Sequence, residues 1–320
     1  MNTIKNKLQQ LRARYSDPKH KSFKVTKRDS STIQIKKGVA EGWRLIIDST
    51  KLIFANRKIF VWLMVLYALV SFFLVGGISL TDYNEIKDTS KDYIDGLDAV
   101  TTAMAYFGAV LSGGLSEAPS ELQQMLSGLV ALIFWLSTIW AARMILAGNK
   151  IKFRDAFYNG PTPLISTVLL LLVVAVQLIP AALGLFGVTV ILTESWVLST
   201  AEGALFMAGV ALLCLLTLFW VIGSVVALVI VALPGMYPMQ ALVNARMLVA
   251  GNRWNIVTRL LAVAFIEFLV WAFIMIPVFM IDGWINVDWL PITVVCVQLL
   301  TGFSVVFTSV YVYKLYRSLI

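Results

Sequence analysis

Six stretches of this chain are each long and apolar enough to cross a lipid bilayer as a single helix: about 59–80, 122–146, 164–191, 203–233, 256–281 and 290–313. A hydrocarbon core about 30 Å thick needs roughly 20 apolar residues in helical form, because no backbone N–H or C=O can go without a hydrogen bond there. Several runs exceed that minimum, which allows tilt or extension into the headgroups. Composition agrees. Only 14% of the 320 residues are charged and 59% are hydrophobic, against about 25% charged in a soluble domain. The expected fold is an all-α polytopic membrane protein with six transmembrane helices.

The connections fix an orientation. Residues 1–58 hold 15 of the 26 Lys and Arg, and the later connections on the same side, including Arg246, Arg253 and Arg259 between the fourth and fifth spans, bring the total there to 24, leaving Lys87 and Lys91 on the other. Acids run the opposite way, with Asp82, Glu85, Asp88, Asp92, Glu117, Glu194, Glu202 and Asp288 among those outside. Lys and Arg concentrate in cytoplasmic loops, so both termini are expected in the cytoplasm and the chain is expected in a plasma membrane. The first apolar run starts at Ile59, too late for a signal peptide. A seventh, 17-residue apolar run at 99–115 lies in the outer loop 81–121. If it spanned, every later basic connection would face outward. It is therefore expected to be re-entrant or interfacial.

Residues 1–36 read as a basic cytoplasmic tail. Residues 37–58 read as an amphipathic interfacial helix, with Val39, Trp43, Ile46, Ile47, Ile53 and Phe54 on its apolar side. Basic amphipathic segments beside a bilayer are drawn to anionic headgroups. Lipid is therefore the expected partner of the N-terminal segment, and nucleic acid is not.

An internal repeat lies across the spans. Residues 142–150 read ARMILAGNK, residues 245–253 read ARMLVAGNR, and KLIFANRK occupies 51–58. Asn56, Asn149 and Asn252 recur 93 and 103 residues apart, each followed by a cation (Arg57, Lys150, Arg253). Gly148 and Gly251 supply the left-handed conformation that ends a helix. Pro180 and Pro277 hold matching places in the third and fifth spans and predict kinks. The expected unit is an amphipathic segment, a turn and a helical hairpin. Three such units in parallel give six spans, with the membrane domain at 59–320.

Three patterns, GWRLIIDSTKLIFANRK at 42–58, LPGMYPMQALVNARMLVAGNRW at 233–254 and YKLYRSLI at 313–320, carry a family resemblance. Over about 38–320 the chain resembles bacterial six-helix proteins related to the membrane domain found beside some glycerophosphodiester phosphodiesterases. The resemblance implies the six-helix architecture and a bacterial plasma membrane. The chain lacks the soluble phosphodiesterase domain, so that activity is not implied.

Glu267 is the sole acid inside a span. A charge there costs about 2.5–3.5 kcal/mol on insertion scales, which a proton or a polar partner would reduce. Gln177 and Gln298 are the expected partners. The two cysteines, Cys214 and Cys296, both sit in apolar runs, and His20 is the single histidine, in the charged tail. No phosphate-binding glycine loop, metal helix or Ser–His or Cys–His pair is present. No metal, cofactor or enzymatic activity is expected. The reading is a non-enzymatic membrane protein that organises, regulates or assembles with membrane components, through a membrane-protein partner or further copies of itself. The alternative is a small-solute or proton transporter using Glu267.

Overall fold

The structure is a computed structural model and describes residues 38–75, 121–193, 200–285 and 292–320. The tail 1–36 and the run 99–115 fall outside the described residues. The described residues form nine α-helices and no strand, all within the compact unit Gly38–Ile320.

Six helices are long and apolar enough to span: α2 (Arg57–Val75), α3 (Glu121–Leu146), α5 (Leu164–Thr193), α6 (Thr200–Val231), α8 (Arg253–Ile285) and α9 (Ile292–Leu319). The chain is an all-α multi-pass membrane protein. Three shorter helices, α1 (Gly38–Ala55), α4 (Phe153–Asn159) and α7 (Pro238–Val249), lie beside the basic turns. Successive spans α2–α3, α5–α6 and α8–α9 pack as hairpins.

The bundle is organised around α9. It packs on α2, α3 and α8, and also touches α1 and α6. Its buried residues include Val306, Phe307, Val310, Tyr311 and Leu315. Close approach to α2 depends on Gly302, where an added Cβ would lie 2.9 Å from the Met64 carbonyl oxygen. Tyr67 on α2 meets Phe134 on α3 edge-on at 5.4 Å. By contrast α5 rests mainly on α6. There Gly187 meets the Phe206 ring and Gly184 meets Val210. Ala204, Ala208 and Ala211 on the other side of α6 are exposed.

Helix α1 carries two apolar stripes at helical spacing. Gly42, Ile46, Ser49 and Ile53 are buried, on the helix that packs against α8 and α9. Trp43, Ile47 and Phe54 remain exposed, next to exposed Arg44 and Lys51.

The repeat is real in sequence, but its copies fold differently. At Asn56 a single residue separates α1 from α2, and its Nδ2 donates to the Leu52 carbonyl at 3.1 Å. The second copy ends span α3 itself, with no separate amphipathic segment before the turn. Gly148 (φ 82°) sits in a Schellman cap closed by Asn149 N to Met144 O and Gly148 N to Ile145 O. Helix α4 then intervenes before α5. In the third copy Ala250 (φ −58°, ψ 126°) and Gly251 (φ 84°) make a type II turn closed by Asn252 N to Val249 O at 3.0 Å. The expected uniform unit is therefore corrected. Both glycine copies need one residue at positive φ, and the surrounding packing selects which turn uses it.

Candidate functional site

The hydroxyl groups inside the spans are used in two ways. Most bond back to their own helix, as Ser137 does to Ile133, Thr138 to Phe134 and Ser309 to Val305, a self-contained solution where water is absent. A smaller set reaches across, and it is concentrated on the α8–α9 hairpin.

Glu267 lies 14 residues into α8, or about 21 Å along its axis, and is half-buried. Thr308 Oγ1 on α9 donates to its Oε1 at 2.5 Å. One turn further along both helices, Trp271 Nε1 donates to Ser304 Oγ at 2.9 Å. The i, i+4 spacing on each helix places both pairs in one antiparallel seam. Nearer the basic end the seam continues. Tyr311 donates its phenolic hydrogen to the Arg259 carbonyl at 2.9 Å, and Arg259 Nη1 lies 3.4 Å from Ser318 Oγ.

Arg259 is the residue that sequence reasoning misplaced. Counted as a loop cation, it is only 3% exposed and lies within the fifth span. Its stem runs past Gly42 of α1, whose added Cβ would be 3.6 Å from Arg259 Cγ. An arginine six residues into a helix reads as a flanking anchor that snorkels to water. Here α1 and α9 close over it.

The expected partners of Glu267 are elsewhere. Gln177 on α5 accepts from Ser224 Oγ on α6 at 2.6 Å. Gln298 lies on α9 ten residues before Thr308, about 15 Å along the helix. The three residues do not form one site. Pro180 and Pro277 both lie inside continuous helices, α5 and α8. Cys214 and Cys296 are free thiols on different helices, and no group of three His, Cys, Asp or Glu side chains gathers among the described residues.

Two openings lie near these elements. A shallow, largely apolar depression of about 420 Å³ is lined by Leu132, Trp135, Leu171 and Leu228, with Ser304 and Thr308 at its edge. Thr308 therefore touches both the depression and Glu267. A larger groove of about 910 Å³ separates α6 from α8 beside the third repeat turn.

No protein-family model, curated protein or solved structure matches the chain.

Proposed function

We propose that the chain is a non-enzymatic integral membrane protein that organises, or assembles with, other components of a bacterial plasma membrane. Both termini and the basic turns would face the cytoplasm. The observation that carries this reading is the seam itself. Glu267, the embedded carboxyl, is tied to Thr308 in the middle of a helix–helix contact, where a polar bond fastens two spans in lipid. Its neighbours Trp271 and Ser304 do the same. The flanking spans suit lateral association, since only 11% of the apolar window of α5, and of α8, is buried inside the bundle, against 50% for α6. Isolation from native membranes in mild detergent, followed by mass spectrometry, tests the reading. A partner or further copies should co-purify in fixed ratio. Recovery of the monomer alone would remove the proposal.

A second reading, a proton or small-solute pathway, rests on one specific observation: Thr308 lines the open 420 Å³ depression as well as holding Glu267. Carbodiimide modifies protonated carboxyls in apolar surroundings. Glu267 labelling in native membranes that falls as pH rises would mark proton exchange with water and favour transport. Labelling that is absent or independent of pH favours the fastener.

A further inference from the structure

The groove between α6 and α8 has a chemical gradient along its length. Its deeper wall is apolar, built from Leu212, Leu215 and Leu216 on α6 and Val257 on α8. From Leu212 to Phe219 the α6 wall is about 10 Å long, which fits inside one leaflet of a core about 30 Å thick. At its other end stand two cations. Arg253 guanidinium lies 3.6 Å from the centre of the Phe219 ring and donates to the Phe219 carbonyl at 3.4 Å. Arg246 and Arg253 together line a connected recess against Phe219, Trp220 and Gly223.

Two features suit this end to the membrane surface. Arginines that flank a span sit at the headgroups, and so do exposed indoles. Trp220 and Trp254 are 46% and 74% exposed at the same level as the two arginines. Beyond them α6 is enclosed by protein, with Val226, Ala227, Val229 and Ile230 buried, and α7 packs along it. With the cations at headgroup depth, the groove opens sideways into the leaflet next to the basic turns with its apolar wall below, and α6 crosses the bilayer over about Thr200–Trp220, about 30 Å, rather than over the whole of the expected 203–233 run.

We infer that this groove is a binding site for one anionic phospholipid from that leaflet. The phosphate sits between Arg246 and Arg253 and an acyl chain lies along Leu212, Leu215 and Val257. The volume of about 910 Å³ falls at the upper end of the roughly 300–1,000 Å³ typical of ligand sites. The Gly251 turn serves the site directly. It reverses the chain between α7 and α8, so that Arg246 from one and Arg253 from the other face a single recess. Charge complementarity favours an anionic headgroup over a zwitterionic one, whose own cation the two arginines repel. The inference does not depend on the assembling role proposed above, because the lipid is read independently of any protein partner.

Native mass spectrometry of the full chain, released from nanodiscs containing phosphatidylglycerol and phosphatidylcholine in equal amounts, tests it. The wild type should retain one phosphatidylglycerol in preference to phosphatidylcholine. Equal retention of the two lipids overturns the site without any variant being made. Arg246→Ala with Arg253→Ala should cut phosphatidylglycerol retention by about tenfold or more, since each surface cation contributes several-fold to anionic-lipid binding. Leu215→Trp fills the apolar wall and leaves both arginines in place, and it should also lower retention. Full retention in Leu215→Trp would mean headgroup attraction with no acyl seat, and would overturn the site as drawn.

Discussion

At the scale of single residues, the embedded polar groups are spent on holding helices together, and this makes their substitutions predictable. Thr308→Val removes the donor to Glu267 and leaves a half-buried carboxyl without that bond. Transmembrane hydrogen bonds average about 0.6 kcal/mol and reach about 1.7, so a loss of about 1 kcal/mol is expected from unfolding in mixed detergent micelles. Glu267→Gln keeps an acceptor oxygen for Thr308 and should be close to neutral in the same measurement. If Glu267→Gln costs as much as Thr308→Val, the acid itself matters and the fastener account fails. The sequence makes Glu267 conspicuous because it is one acid among apolar neighbours. It does not reveal Thr308, because α9 alone offers Thr301, Ser304, Thr308 and Ser309 and only packing selects among them. Gln177 and Gln298 are chemically suitable partners, but the first is taken by Ser224 and the second lies ten residues along α9 from Thr308. Arg259 was hidden for the opposite reason: six residues past the turn, it fits the pattern of an anchoring cation, and only the docking of α1 shows that it is enclosed.

At the scale of elements, length and hydropathy made the six spans legible, since a bilayer leaves so few alternatives. The turns were half legible. Positive φ at Gly148 and Gly251 follows from glycine at a helix end, yet one AGN motif closes as a Schellman cap and the other as a type II turn. Glycine also marks where helices approach most closely, and substitution should separate the cases. At Gly160 an added Cβ would lie 2.3 Å from Ser137 Cα, and at Gly302 2.9 Å from the Met64 carbonyl, whereas at Gly128 nothing lies within 4 Å. Gly160→Ala and Gly302→Ala should therefore destabilise by about 1–3 kcal/mol, as overpacking does. Gly128→Ala should be neutral or stabilising by up to about 1 kcal/mol, through helix propensity alone. Equal effects at all three positions in a detergent unfolding series would contradict the packing described for α2, α3 and α9. Gly251→Ala should cost about 1 kcal/mol through its left-handed backbone, and Gly251→Asn less.

At the scale of the whole molecule, alternation of six spans puts the Gly148 turn, the Gly251 turn and the end of α9 on one side. Single cysteines at Lys150, Asn252 and Ser318, introduced after Cys214 and Cys296 are replaced by alanine, should react with a membrane-impermeant maleimide from that same side. One position reacting from the opposite side would break the six-span topology. The charge asymmetry of the sequence already pointed to this arrangement. It did not show that the bundle is built around α9, because hydropathy distinguishes lipid-compatible residues from others but not the centre of a bundle from its edge. That position has a consequence for biosynthesis. The helix at the hub is the last of the six spans to leave the ribosome, so the earlier five enter the membrane before the surface that unites them exists. Until Ile292–Leu319 arrives, Glu267, Trp271 and the Gly302-facing side of α2 have no native neighbour on that helix. The nascent protein spends that interval as hairpins that lack the helix joining them.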